Sequence, residues 1–293
     1  MKWNILVTVF TLFFIATVSQ EERRPIIGVL TQNYDGKRAQ QFIRASMVDW
    51  LTQHGAIVVP IMAYDSYKEQ LAQFNNLHGF VLPGSNGPGK GYARTYKRLL
   101  RWTIRASKSK KSKRKVMGAG FCWGFQRMAN YIARRTVSRG SYVAQNTNLR
   151  VKYGSNKTKS DFRISTGLTD RLNKNLQNYR LTYNNHIHGV SPETMRNNKY
   201  LRRFYDVVYT STTLGTGKEF VALMEAKTMP LYGFQFHPEV YSRNQNQRYA
   251  NAYFGKFLVN EARKNILTRK PIHDPRTVQQ VATKRAGLYR FGW

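Results

Sequence analysis

A single cysteine stands among 293 residues, and its neighbours are of the kind that free a thiol for chemistry. Gly120-Phe121-Cys122-Trp123-Gly124 is a G-x-C-x-G pattern, with a glycine on either side to permit the sharp strand-to-helix turn of a nucleophile elbow. A thiol on such a turn meets a helix N-terminus, whose dipole favours the thiolate and whose N–H groups face any oxyanion formed there. A buried, inert cysteine between two glycines is the alternative that the local pattern leaves open. Far downstream, Gln235-Phe236-His237-Pro238-Glu239 supplies the complementary groups. A histidine at a strand end can reach a thiol on a neighbouring strand. A glutamate two residues on, past a rigid proline, can return to the other ring nitrogen and fix the tautomer. The chain order is therefore Cys122, His237, Glu239.

The elements around these residues alternate. Pro25–Leu30, Ala56–Ile61, Gly79–Leu82 and Val116–Gly120 read as short buried strands. Between them Ile43, Met47, Trp50 and Leu51 recur at helical spacing, Tyr67–Phe74 and Tyr92–Arg105 read as helices, and Phe125–Arg134 continues as helix past the cysteine. This rhythm predicts a single-domain α/β fold over 21–265, a mainly parallel sheet with helices on both faces. Arg180–Tyr183, Asp206–Thr210, Phe220–Met224 and Leu231–Phe236 read as further strands, and Tyr249–Lys264 as an amphipathic helix. The basic stretch 266–293 is weakly periodic and is expected to drape over the surface or fray.

Residues 1–20 read as a removed signal peptide. Lys2 precedes an apolar run from Ile5 to Val18, small residues at Thr17 and Ser19 suit cleavage, and Glu21-Glu22-Arg23-Arg24 follows. A retained anchor is the alternative, and no later stretch is apolar enough to span a bilayer. Export places the chain outside the cell or in a lysosome-like compartment. There a lone thiol, unable to form an internal bridge, is either inert or kept for chemistry. Asn156-Lys157-Thr158 is a glycosylation sequon and predicts a surface loop. Lys and Arg number 48 against 15 Asp and Glu, a net charge of +33, so the surface attracts polyanions. The densest run, Arg105–Lys115, is expected to be an exposed loop entering the sheet at the end opposite Cys122.

Gly120-x-Cys122-x-Gly124-x-Gln126, followed by Phe236-His237-Pro238-Glu239, resembles the class I glutamine amidotransferase superfamily, a flavodoxin-like fold. Within it the chain is similar to the gamma-glutamyl hydrolases. That similarity runs from Arg24–Leu30 through Phe80–Gly84 and Phe220–Glu225 to Phe257–Asn265, most of the mature chain. The resemblance implies cleavage of γ-glutamyl bonds in folyl- or antifolyl-polyglutamates through a covalent acyl-enzyme, without metal or cofactor. Cys122 would be the nucleophile, His237 the proton carrier and Glu239 its support. Backbone N–H groups of Trp123 and of the Gly84-Ser85 turn would form the oxyanion hole, and His186 stands where the family carries a further substrate-site histidine. Three departures stand out, one of them the extreme basicity, which the family pattern does not predict. Gly84-Ser85 replaces a usual Gly-Gly, which is costly for Ser85 if the turn needs a positive φ. Phe121 and Trp123 flank the nucleophile where smaller or aliphatic residues are usual, an expected narrowing of the acyl pocket. The expected partners are an anionic small-molecule substrate, polyanions drawn to the basic surface, and a second copy of the chain in a homodimer. The competing function is a family member impaired in catalysis that serves as a basic polyanion-binding protein.

Overall fold

The sheet is laid down by short aliphatic runs too buried on both faces to alternate with polar residues. The computed structural model describes residues 24–34, 37–85, 89–109, 114–154, 157–265 and 276–291. In the first half of the chain lie β1 (Ile26–Leu30), β2 (Gln32–Tyr34), β3 (Lys37–Arg44), α1 (Ala45–Gln53), β4 (Ile57–Ile61), α2 (Tyr67–Phe74), β5 (Gly79–Leu82), α3 (Gly89–Lys108), β6 (Met117–Phe121) and α4 (Trp123–Ala133). The second half contributes β7 (Ala144–Leu149), β8 (Lys152–Tyr153), α5 (Arg163–Thr166), α6 (Asp170–Asn178), β9 (Thr182–His186), α7 (Pro192–Asn197), α8 (Lys199–Phe204), β10 (Tyr205–Thr212), β11 (Glu219–Ala226), β12 (Leu231–Phe234) and α9 (Gln245–Arg263). A short α10 (Val278–Val281) and the hairpin β13 (Thr283–Arg285) and β14 (Leu288–Phe291) follow.

Eight strands form the main sheet in the order β4-β1-β5-β6-β12-β11-β10-β8. Pairing is parallel from β4 through β12 and antiparallel from β12 through β8. The expected mainly parallel α/β sheet is therefore present, extended by an antiparallel flank. Side-chain alternation then sorts the core into two layers. Ile27 and Val29 of β1, Val81 of β5 and Met117, Ala119 and Phe121 of β6 pack with α1 and α9, where Trp50 Nε1 donates to the Asn251 carbonyl at 3.0 Å. Leu30, Phe80 and Leu82 face the other way, against Leu99 and Leu100 of α3 and Phe125 and Met128 of α4.

Three expectations change. Ile43 belongs to a strand, not to the helix that follows it, because β3 is flanked by β2 and β14 and takes its hydrogen bonds from them. The charge run is not all loop, since α3 carries Arg105 to Lys108 in helix. Lys110–Lys113 lie outside the described residues. Arg114 beyond them is pinned, donating to Asn75 Oδ1 at 3.1 Å and the Phe74 carbonyl at 3.2 Å. The run does lead into the start of β6, the end of the strand away from Cys122. Finally, the chain's end is structured over 276–291: β14 pairs antiparallel with β3, and Val278, Tyr289 and Phe291 are buried in the core. Residues 1–20, Asn156 and 266–275 lie outside the described residues, so the leader and the sequon stay sequence expectations. Among the described residues no helix is long and apolar enough to cross a membrane.

Candidate active site

Five parallel strands present their C-terminal ends on one rim, and the site is assembled there. β6 ends at Phe121, and the next residue reverses direction. Cys122 has φ 48° and ψ −104°, a left-handed value rare for a residue with a side chain. Such a conformation costs about 1–3 kcal/mol and persists only where its surroundings enforce it. Two backbone bonds do so: Cys122 N–H donates to the Phe234 carbonyl at 2.7 Å, and the Cys122 carbonyl accepts from Gln126 N–H at 3.0 Å, opening α4. Gly124 is required by packing, because a Cβ there would lie 2.0 Å from the Leu82 carbonyl oxygen. The first turn of α4 thus presses against the end of β5, and the sulfur is lifted to the rim with 7% of the residue exposed.

His237 follows β12 and is anchored by its own N–H, which donates to the Tyr183 carbonyl of β9 at 2.8 Å. Its Nδ1 meets Glu239 Oε1 at 2.7 Å, and the Glu239 side chain is only 4% exposed. The other side of the ring faces Cys122: the point a Cβ on Gly84 would occupy lies 3.5 Å from His237 Nε2 and 3.1 Å from Cys122 Cβ. Burial alone would disfavour a charged imidazole, but the Glu239 carboxylate and the Cys122 contact outweigh it and raise His237 to about 10. Cys122, His237 and Glu239 are therefore gathered at one place, with Glu239 bonded to one side of the imidazole and Cys122 beside the other.

The Gly84-Ser85 turn at the end of β5 closes the site from the opposite side. A Cβ on Gly84 would come within 2.7 Å of His237 Cε1 and 3.1 Å of Cys122 Cβ, so glycine is needed to admit both side chains. Ser85 is not among the positive-φ residues, so the turn asks nothing of it that serine cannot give. Two buried donors hold this turn. Gln32 Nε2 bonds the Gly84 carbonyl at 2.8 Å, and Tyr92 Oη bonds the Pro83 carbonyl at 2.8 Å. Sequence reading missed Gln32. Its signal was positional, just past the C-terminal end of a parallel strand, where sites on such sheets gather.

Phe121 departs from its expected role. It is wholly buried on the α1 and α9 side of the sheet, edge-on to Trp50 and stacked on Phe234 with centroids 5.0 Å apart, so it cannot narrow a pocket on the rim. Trp123 is half-buried on the first turn of α4, and the Arg127 guanidinium lies over its ring at 3.8 Å. His186 ends β9, beside the Asn185 carbonyl that meets Cys122 Sγ at 3.8 Å. Its ring, 5% exposed, packs edge-on to Phe220 and bonds Asn184 Oδ1 through Nε2 at 3.2 Å. Burial, then the charge of His237, lowers His186 to about 4. It is a neutral, buried neighbour of His237. Gln126, one turn along α4 from Cys122, ties this strand end down by donating to the His188 carbonyl at 2.9 Å.

A family model described as glutamine amidotransferase class-I matches residues 43–257. The chain is 27% identical to gamma-glutamyl hydrolase B of Dictyostelium discoideum, over 90% of this chain and 79% of that protein. It is 31% identical to gamma-glutamyl hydrolase of Mus musculus, over 83% and 78% of the two chains. The corresponding human protein, also gamma-glutamyl hydrolase, is 28% identical over 83% of this chain and 79% of its own.

Proposed function

Because the chain belongs to the class I glutamine amidotransferase family, and within it to the gamma-glutamyl hydrolases, we propose that it cleaves the γ-glutamyl amide bonds of folyl- or antifolyl-polyglutamates through Cys122, His237 and Glu239. The observation that carries the reading is the strained elbow at Cys122, with His237 beside it and bonded to Glu239. Glu239 accepts Nδ1–H and fixes the tautomer, leaving Nε2 to exchange a proton with sulfur. With His237 raised to about 10, the ring carries a proton at neutral pH and can deliver it to the leaving amine. Sulfur attacks the γ-carbonyl carbon, and the carbonyl oxygen becomes an oxyanion. The N–H of Trp123 at the start of α4 and those of the Gly84-Ser85 turn receive it, at about 3–4 kcal/mol per well-placed donor. Collapse expels the shortened polyglutamate as its amine and leaves a thioester. Water, deprotonated by His237, then releases the acid and restores the thiol.

The apolar leader supports a secreted or lysosome-like location for this activity. The reading is tested by incubating the protein with a folate pentaglutamate and resolving the products. Wild type shortens the tail. Cys122→Ala, folded by circular dichroism, leaves it intact, and full turnover by that variant would end the mechanism.

A further inference from the structure

One face of α3 is cationic without interruption. Its exposed residues are Gly89, Lys90, Ala93, Arg94, Lys97, Arg101, Arg105 and Lys108, so apart from one glycine and one alanine every side chain offered to solvent is Lys or Arg. The helix contains no Asp or Glu, and among the described residues none of these cations is in an ion pair. At ~1.5 Å per residue the stripe from Lys90 to Lys108 runs about 27 Å along a straight axis. Its upper half borders a groove of about 580 Å³ lined by Tyr67, Lys90, Arg94, Lys97, Arg98 and Arg101. Arg98 lies across the Tyr67 ring at 5.1 Å and donates to Gln70 Oε1 at 2.8 Å, which fixes the groove wall. Like charges at helical i, i+4 spacing repel one another. A single rigid element that gathers them gains when a linear anion is laid along it.

We propose that this stripe is a docking track for a linear sulfated glycan, distinct from the catalytic centre. The opposite face of α3 looks towards catalysis: Tyr92 and Tyr96 are buried, and Tyr92 bonds the Pro83 carbonyl beside Gly84. A helix ~10–12 Å thick therefore stands between the stripe and the turn over Cys122. The chemistry of the face favours sulfate esters over nucleic acid. Arg and Lys bind oxyanions directly. The stripe exposes no amide or hydroxyl to read base edges, and the groove is lined by one aromatic ring, Tyr67, with Arg98 across it, where stacking of successive bases needs a row of rings. An exported protein would also meet glycans outside the cell.

Because the whole chain carries +33, the test must separate a site from bulk charge. A size-fractionated heparin oligosaccharide is titrated against wild type, against K90Q/R94Q/K97Q/R101Q, and against a control, R171Q/K174Q/R180Q/K218Q, that removes equal charge from exposed positions elsewhere. The stripe variant loses roughly tenfold or more in affinity, and its slope of log K against log salt flattens by about the number of contacts removed. The control changes by less than about twofold, and both variants keep wild-type melting temperature and turnover of folate pentaglutamate. Equal losses in the two variants would reduce the effect to net charge and overturn the proposal. So would tighter binding of duplex DNA than of heparin at the stripe, which would make the partner a nucleic acid. Selective loss of turnover in the stripe variant would place these residues in the substrate site and also refute it. The binding arm does not depend on the hydrolase reading.

Discussion

At Cys122 the backbone holds a conformation that side chains avoid, and the proposed catalytic arrangement depends on neighbours that make room for it. Gly84 is the clearest case. Gly84→Ala drives a methyl group against His237 and Cys122, so kcat/KM falls by roughly 10²-fold, the cost of displacing reacting groups by about an ångström. The loss should appear in steady-state kinetics with little change in melting temperature, and normal activity in that variant would contradict the geometry. Glu239→Gln keeps the shape of the carboxylate but withdraws its charge from His237. It lowers kcat by roughly 10²–10⁴, less than loss of the nucleophile itself. Gln32 acts through the turn, not on substrate. Gln32→Leu frees the Gly84 carbonyl, lets the turn swing, and lowers kcat by about 10–100-fold with KM nearly unchanged, as expected for support of an oxyanion donor. A change confined to KM would instead make Gln32 part of the binding surface.

At the scale of elements, β9 joins the two histidines. It carries His186 at its end and gives His237 its backbone anchor through Tyr183. His186 is enclosed by Phe220, Asn184, His237, His188 and Tyr142 and is lowered to about 4, below its ordinary 6.5. The unfolded chain therefore binds a proton that the native state refuses, and the stability His186 contributes is lost as pH falls from about 6.5 towards about 4. His237 works in the opposite sense: raised to about 10, its contribution is complete below about 6.5 and is lost as pH rises through about 10. Melting His186→Leu beside wild type across pH 4–7 should show the wild-type curve falling more steeply on the acid side. Parallel curves would mean that His186 does not titrate in this window.

β9 also shows what the sequence could and could not reveal. Tyr67–Phe74 was legible to the residue because Ser66 and Glu69 form a capping box, a local signal. The elbow and its downstream histidine were legible because that chemistry needs particular residue types. The expected strand Arg180–Tyr183 catches only the start of Thr182–His186, whose polar second half is strand because β7 pairs with it. Lys37–Arg44 likewise depends on β14, more than 200 residues away. Partners that distant leave no local periodicity, so β3 and the terminal hairpin escaped notice. Phe121 was misplaced for a related reason: the sheet face a residue occupies is set by register, not by adjacency to the nucleophile.

For the whole molecule, the terminal hairpin is part of the fold. Truncation after Asn265 removes Val278, Tyr289 and Phe291 from the core and strips β3 of one neighbour. At about 1.5–3 kcal/mol per large buried side chain, the loss approaches the whole stability of a typical domain, ~5–15 kcal/mol. The shortened chain should therefore melt well below wild type or aggregate on expression. Thermal denaturation decides, and an unchanged midpoint would return 276–291 to the status of an idle tail. The pairing of Leu288 with Arg44 also orders events during synthesis. The first strands leave the ribosome early, yet the edge that β14 will cover stays open until β14 itself has been made, about 12–50 s later at 5–20 residues per second. Throughout that interval β3 is a template for the wrong strand, so a nascent chain of this design should lean on chaperones until β14 emerges to pair with it.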